Sequence, residues 1–331
     1  MNEDDVILDV ALEKGIRMPY GCRSGTCKSC RARVISGTAD VGRAFPGPRF
    51  LMRTRQFDGY TLMCRATAAS DLVIEVDEQP QLQPAAIRTA TVLDAEFVAR
   101  DVAILRLRVA ESDVLTFAAG QYVDLLMPNG GRRSFSIANP PSITGCRDLE
   151  FHIRHVPGGA FTDKLFAGLP AGMEISIEAP LGSFFLRESP RPAIMLASGT
   201  GYAPIRSILL DLLPRLQERR IILYWGARKL EDIYKFDEAE QLAGDYSDFT
   251  FVPVLSEMGY VDGWRGRTGF VHRAVAQDFP DLSGWDVYAC GTPLMVDAAQ
   301  REFTAQHGLG IGNFFADAFL TQADLATANL P

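Results

Sequence analysis

The chain has 331 residues, 47% of them hydrophobic and 22% charged, with a net charge of −8. This length accommodates two or three domains with packed cores, and the composition excludes a low-complexity or collagen-like chain. The acidic balance disfavours nucleic acid as a partner. No apolar run approaches the roughly 18 residues of a membrane span, and no basic-then-apolar signal peptide follows the acidic start Met1-Asn2-Glu3-Asp4-Asp5, so a cytoplasmic location is expected. Residues 1–70 nevertheless carry 11 Lys+Arg against 7 Asp+Glu, a local balance of +4, while the remainder stands at −12. Either the charge is an ordinary solvated surface, or the basic end meets an acidic partner.

The first segment, residues 1–78, holds four of the six cysteines. A disulfide framework suits a short secreted chain, whereas clustered cysteines in a cytoplasmic one point to metal or redox chemistry. Cys22, Cys27 and Cys30 are followed by Cys64 after 33 intervening residues. This C-x4-C-x2-C…C spacing is that of a plant-type 2Fe–2S cluster. Four thiolates are needed, two on each iron, and three must come from one tight loop. Gly21 and Gly25 let that backbone approach and aim its amides at the sulfurs, and the small Ser24, Thr26 and Ser29 leave room. A structural zinc site is the alternative, but it usually pairs two short C-x2-C knuckles, and only one is present. A brown colour with a rhombic EPR signal after reduction separates the two readings.

Glu78-Gln79-Pro80-Gln81-Leu82-Gln83-Pro84 is polar, with two prolines, and residues 79–86 read as a linker. Residues 87–188 turn to short strands with Gly/Pro punctuation, at Val102–Val109, Gln121–Leu126 and Phe151–Val156, the pattern of an antiparallel barrel or sandwich. Within them Arg133-Ser134-Phe135-Ser136 reads by itself as an ordinary strand end. Val156-Pro157-Gly158-Gly159-Ala160-Phe161-Thr162 offers glycine amides to a phosphate, with Thr162 expected to cap a helix.

From 189 to 331 strands alternate with helices. Strands are expected at Ala193–Ala197, Ile221–Trp225, Phe251–Leu255 and Asp286–Cys290, and a helix from about Pro204 to Arg219, which together argue for a doubly wound parallel sheet. Ser198-Gly199-Thr200-Gly201-Tyr202-Ala203-Pro204 follows a strand and opens a helix, the setting of a dinucleotide loop, although it is not G-x-G-x-x-G. Cys290, taken alone, reads as a buried inert thiol.

Pro19-Tyr20-Gly21-Cys22, the cysteine loop and Leu62-Met63-Cys64 together resemble a plant-type ferredoxin module. Arg133–Ser136, Gly199–Pro204, Tyr224–Arg228 and Ala289–Pro293 resemble the ferredoxin–NADP reductase superfamily. In this order the whole chain is similar to the reductase components of multicomponent aromatic-ring (Rieske-type) oxygenases. The resemblance implies a β-grasp ferredoxin, an antiparallel β-barrel for FAD and a doubly wound parallel sheet for NAD. It implies that Arg133 pairs with the FAD pyrophosphate, with Ser134 beside it. Phe135, in place of the family's Tyr, would pack on the isoalloxazine with the loss of a hydroxyl contact, and Ser136 would lie near flavin N5. His152 and Arg154 would line the flavin, though for each histidine of that strand (His152, His155) a plain half-exposed position is an equal reading. Gly159, Ala160, Phe161 and Thr162 would hold phosphate. Gly199, Thr200, Gly201 and Pro204 would hold the dinucleotide, with Arg228 near the adenosine and Cys290 and Gly291 beside the nicotinamide. Ser136 and Cys290 thereby become the catalytic candidates. Phe319, in Ala316-Asp317-Ala318-Phe319, would shield the flavin or serve as a core aromatic. Arg228 and Lys229 suit a 2′-phosphate and Glu231 and Asp232 a free ribose, so NADPH stays possible beside the favoured NADH. Family members begin with a hairpin of about 15 residues before the segment matching Val6-Ile7-Leu8-Asp9, which here lies almost at the start; an uncovered sheet edge is expected there.

These assignments imply a path from NADH through FAD to the cluster, because the flavin takes a hydride and returns electrons singly to a centre near −400 mV. The acceptor is expected to be a separate oxygenase component or an intermediary ferredoxin, because no C-x-H occurs and His152, His155, His272 and His307 supply no Rieske pair. The chain itself is expected to be monomeric. The alternatives are a reductase for deoxysugar biosynthesis with the same domain order, a stand-alone reductase of a small quinone-like acceptor, and a zinc-stabilised binding module.

Overall fold

A computed structural model of the protein describes residues 5–40, 59–77, 83–215, 219–257 and 264–321. Half of the expected linker 79–86, residues 79–82, falls outside these. Its last residue is already strand, since β6 begins at Ala86. The chain divides into two compact units, one of residues 1–81, 182–184 and 316–331, the other of residues 82–181 and 185–315.

In the first unit helix α1 (Ile7–Glu13) packs with five short strands, β1 (Arg31–Ser36), β2 (Ala39–Asp40), β3 (Tyr60–Leu62), β4 (Thr67–Ala68) and β5 (Val73–Glu75). The strands form a three-stranded sheet, β3-β1-β5, and a two-stranded one, β2-β4. α1 has no side-chain cap. Its first turn is satisfied by the following chain instead, Ile7 N–H donating to Ala66 O and Leu8 N–H to Met63 O. Leu8 and Met63 are fully buried, in a core that also includes Cys30 and Cys64. Apolar burial of this small helix therefore fixes the stretch that carries the fourth cysteine.

In the second unit β6 (Ala86–Ala99), β7 (Val102–Val109), β8 (Tyr122–Leu126), β9 (Arg132–Ser136), β10 (Asp148–Arg154) and β11 (Glu174–Leu181) form an antiparallel sheet of order β10-β7-β6-β11-β8-β9. Alternate residues Leu149, Phe151 and Ile153 of β10 enter its core, with Leu105, Leu107, Val123 and Leu125 from β7 and β8. The two end strands meet at a single bridge, Ile137–Phe151, so no continuous ladder closes a barrel among the described residues. β10 ends earlier than expected, at Arg154. His155 N–H turns to Asp101 O and Val156 N–H to the Thr162 hydroxyl, which takes both out of the ladder. Helix α2 (Thr162–Gly168) follows the glycine loop.

The remaining elements are β12 (Ala193–Ser198), α3 (Tyr202–Leu212), β13 (Ile221–Ala227), α4 (Phe236–Asp245), β14 (Phe249–Leu255), β15 (Arg267–Thr268), α5 (Val271–Asp278), β16 (Asp286–Gly291), α6 (Pro293–Gln306) and β17 (Phe314–Ala318). Their sheet has the order β15-β14-β13-β12-β16-β17, and β12 pairs in parallel with both β13 and β16. α3 is shorter than the expected Pro204–Arg219, because Pro214 cannot donate to the helix and the chain tightens into a 3-10 turn at Leu213–Arg215. The strand order reverses between β12 and β16, and a crevice at the carboxyl ends of these strands is the usual ligand position in such sheets. Among the described residues no helix is long and apolar enough to cross a membrane.

Candidate functional site

The cysteine loop is built from backbone that side chains usually avoid. Arg23 and Lys28 hold φ of 53° and 60°, and Gly25 has φ of 85°. A left-handed non-glycine residue costs roughly 1–2 kcal/mol. The loop tolerates two of them, and two of its amides, those of Cys22 and Cys27, are aimed at sulfur. Cys22 N–H points at Cys27 Sγ (3.4 Å), Cys27 N–H at Cys22 Sγ (3.3 Å), and Ser24 Oγ lies 3.1 Å from Cys22 Sγ. Cys30 Sγ is 3.1 Å from Cys64 Sγ, and Met63 N–H to Cys30 O (3.0 Å) sets that pairing. A Cβ on Gly21 would lie 3.3 Å from Cys27 Sγ and 3.3 Å from Asp317 Oδ1, so a side chain there would crowd both by a few tenths of an ångström.

The sulfurs perturb one another. The Cys22 thiol is drawn down to about 6, first by its hydrogen bond with Cys27, while Cys27 and Cys64 are pushed up by hydrogen bonds with Cys22 and Cys30 and by burial. Four thiolates this close are tolerable only round a cationic centre. Two sulfur pairs with inward amides suit a two-iron cluster. The same unit brings in Ser29 Oγ, donating to Ala316 O (2.7 Å), and Ser183, which exchanges hydrogen bonds with the Tyr20 backbone. Phe319, half-buried, belongs to this unit.

On β9, Arg133 and Phe135 share a face, opposite Leu125 and Val123 of β8. Phe135 meets Phe161 with ring centroids 5.6 Å apart. Ser134 donates to Asp124 Oδ1 (2.6 Å), and Ser136 is buried. A Cβ on Gly159 would fall 2.5 Å from Thr162 Oγ1 and 2.7 Å from Val156 O, so the turn requires glycine. The expected cap is not made. Thr162 is the first residue of α2, and its hydroxyl is spent on Val156, donating to its oxygen (2.9 Å) and accepting from its N–H (3.2 Å). Ala160 is exposed beside it.

At the crevice between β12 and β16 two loops touch backbone to backbone. A Cβ on Gly201 would lie 2.1 Å from Cys290 O, and one on Gly291 (φ 136°) would lie 2.2 Å from Ser198 Oγ, which accepts from Thr292 N–H (3.0 Å). Gly199, Thr200 and Gly201 form a buried 3-10 turn leading into α3, where Pro204 sits in the first turn and needs no donor. Arg228 stands exposed, 4.0 Å from Asp232, whose carboxylate accepts from Lys229 N–H. Tyr224 is turned away to Asp278 (2.7 Å).

The sequence singled out His152, at the flavin or as a half-exposed strand residue, but not the partners that join it to these loops; the ring is not half-exposed. His152 is buried, with Nδ1 2.9 Å from Tyr234 Oη and Nε2 3.1 Å from Glu150 Oε1. Glu150 also receives Arg206 (3.1 Å) and Arg106 (3.2 Å), and Arg206 reaches Glu238 (2.6 Å) and Ala138 O (3.0 Å). The one available signal was a cation, Arg206, set in the apolar helix Ala203–Leu209. Burial would raise the Glu150 carboxyl, but the His152 hydrogen bond and the Arg206 and Arg106 charges outweigh it and hold it at about 2. Burial holds His152 below its ordinary value. Both shifts favour the native state at neutral pH. The Glu150 contribution is complete above about 4.5 and is lost as pH falls towards 2; that of His152 declines below about 6.5, where the unfolded ring takes up a proton. The unfolding temperature should fall across that range, and Glu150→Gln should flatten its decline below pH 4.5.

A chain that carries a two-iron cysteine cradle together with flavin- and nicotinamide-type folds defines an iron–sulfur flavoprotein oxidoreductase. Comparison with known proteins agrees. Residues 1–69 match the 2Fe-2S iron-sulfur cluster binding domain, 89–186 the oxidoreductase FAD-binding domain and 195–301 the oxidoreductase NAD-binding domain. The chain is 40% identical over 316 residues to the CDP-6-deoxy-L-threo-D-glycero-4-hexulose-3-dehydrase reductase of Yersinia pseudotuberculosis (95% of this chain, 93% of that protein). It is 35% identical over 329 residues to the reductase component of phenol 2-monooxygenase from Pseudomonas sp. strain CF600 (98% and 92%). The crystal structure of the Amycolatopsis cytochrome P450 reductase GcoB superposes with a TM-score of 0.75 at 33% identity, covering 96% of this chain and 95% of that one. The protein belongs to the family of NAD-dependent iron–sulfur flavoprotein reductases that includes the reductase components of aromatic oxygenase systems.

Proposed function

We propose that this protein delivers electrons from NADH to a separate oxygenase component acting on an aromatic compound, directly or through an intermediary ferredoxin. The observation that carries the reading is the cysteine cradle in one chain with flavin and nicotinamide folds, a combination shared with reductase components of aromatic oxygenases over nearly the whole chain. Bound FAD supplies the change from two-electron to one-electron chemistry that links nicotinamide to a 2Fe–2S cluster.

The residues divide the work. Cys22, Cys27, Cys30 and Cys64 hold the iron. Arg133 binds the FAD diphosphate through its guanidinium, Phe135 covers the ring system with its apolar face, and Ser136 offers a hydroxyl at the reacting edge. Gly158 and Gly159 shape the turn that meets phosphate. The Gly199–Gly201 turn and the start of α3 receive the dinucleotide, and Cys290 with Gly291 flanks the nicotinamide. Asp232, already capping Lys229, is placed to accept a ribose hydroxyl, which favours NADH over NADPH. A cytoplasmic setting, where thiols stay reduced, keeps such cysteines available as cluster ligands.

Arg133→Gln should weaken FAD retention about tenfold or more, as expected from losing a charged hydrogen bond worth 1.5–3 kcal/mol. The flavin-to-protein ratio after gel filtration measures this, and added FAD should restore it. The acceptor is tested by mixing the protein and NADH with purified oxygenase components and following their reduction. A second reading, a reductase partner in deoxysugar biosynthesis, is favoured by the 40% identical Yersinia relative. Reduction of a sugar dehydrase, with none of an oxygenase component, would select it. An acidic docking face on the acceptor was expected from the basic N-terminal segment; Arg43, Arg49, Arg53 and Arg55, which supply much of that charge, lie outside the described residues.

A further inference from the structure

Beside the bonds of Arg206 to Glu150 and Ala138 O and of Ser207 to Asn139 O, a further polar link between the flavin-type sheet and the nicotinamide-type sheet runs through one buried ring, that of His152. Its ring is buried, and both nitrogens are engaged. Glu150 can only accept, so Nε2 carries the hydrogen and Nδ1 is left to accept from the Tyr234 hydroxyl. The groups facing the imidazole are Glu150 on its own strand, Tyr234, Arg206 of α3 and Glu238 of α4. From Tyr234 the contacts continue without a gap. Its ring stands edge-on to Trp225 (centroids 5.2 Å, 86°). Trp225 lies flat on Tyr202 (3.9 Å, 16°), and its indole N–H donates to Gly199 O (3.0 Å). Arg154, two residues beyond His152, presses its guanidinium on the same glycine, where a Cβ would lie 2.8 Å from Nη1. The strand expected at the flavin is therefore tied at two points to the first glycine of the dinucleotide turn.

A buried polar pair is an expensive way to fill space. Apolar residues of similar volume would hold two domains together as well or better, and a directional hydrogen bond adds a fixed geometry. We infer that His152 and Tyr234 act as a positioning pair that sets the register between the flavin strand β10 and the Gly199–Gly201 turn, and so the distance over which hydride is passed. The inference rests on the flavin and nicotinamide assignments proposed above. The role is one of positioning, exercised through β10 and the turn.

The test uses the holoprotein with Tyr234→Phe, His152→Leu and the double variant. Stopped-flow reduction of the flavin at saturating NADH should slow about tenfold in each single variant, since misplacement of reacting groups by an ångström costs up to about a hundredfold. The double variant should be no slower than the slower single one, because both break the same link. Flavin content and NADH affinity should change less than threefold. Thermal stability of the double variant should equal or exceed that of the wild type, which separates positioning from mere support. Independently of turnover, nitrogen chemical shifts of His152 should show a neutral ring with its hydrogen on Nε2 from pH 6 to 8. Unchanged rates, a double variant slowed by the product of the single effects, or a ring with its hydrogen on Nδ1 would each overturn the pair. A wild type that binds FAD but is not reduced by NADH would overturn the underlying assignment instead.

Discussion

Cys64→Ser should stop NADH-driven reduction of cytochrome c while leaving ferricyanide reduction within about twofold of the wild type. The two acceptors draw from different points. Ferricyanide takes electrons from the flavin, whereas cytochrome c draws on the cluster. Loss of a supporting partner round a metal typically costs 10–100-fold, so loss of a ligand should exceed about 100-fold. Cys64 is the ligand to choose because its place in the chain depends on the α1 contacts and not on the strained loop. The Leu8 N–H to Met63 O and Met63 N–H to Cys30 O bonds survive the substitution. The EPR signal of the reduced cluster should disappear or change form in the same sample. Loss of both activities would mean that the substitution has disturbed the flavin as well. Retention of both would break the proposed path at its last step.

The second large effect is expected from one methyl group. Gly201→Ala places a Cβ 2.1 Å from Cys290 O, 2.5 Å from its carbonyl carbon and 2.8 Å from Gly291 N. All three are backbone atoms of β16, held by the ladder to β12, so none can swing aside. Overpacking of this kind costs about 1–3 kcal/mol in stability. Separation of the two loops by an ångström should lower the rate of NADH-driven flavin reduction about a hundredfold. Chemical reduction by dithionite should be unaffected, and electrons so supplied should still reach cytochrome c. The contrast between NADH and dithionite assigns the defect to the nicotinamide side. An equal loss with both reductants would place the damage elsewhere.

The parts of the site legible in the sequence are those whose chemistry is local. Three of four cluster ligands lie within nine residues, because the loop must wrap the cluster, and the order of the three segments follows from switches in hydrophobic period. The glycine turn after β12 was legible for the same reason, since a strand, a turn and a helix follow without interruption. What escaped depends on pairing over distance. Gly201 and Cys290 meet only because β12 and β16 are neighbours in the sheet. His152 and Tyr234 are separated by 82 positions, and Tyr234 lies between a 3-10 turn and α4, where no periodic pattern marks it. Thr162 shows a further limit. Its sequence context is that of a helix cap, yet the Gly159 turn brings Val156 within reach and takes the hydroxyl for itself. Strand ends shifted for comparable reasons, as at Arg154, where two amides find partners outside the ladder.

The backbone-to-backbone seam at the crevice bears on any attempt to redesign the protein for another reductant. With no side chain at Gly201 or Gly291, the contact between the two loops has nothing to vary. Exchanges that trade NADH for NADPH therefore belong at the rim of the crevice, among Arg228, Lys229, Glu231 and Asp232, where Arg228 stands in solvent and a cap already restrains Asp232. A library confined to these four positions would change cofactor choice and leave the spacing of the two loops as it is.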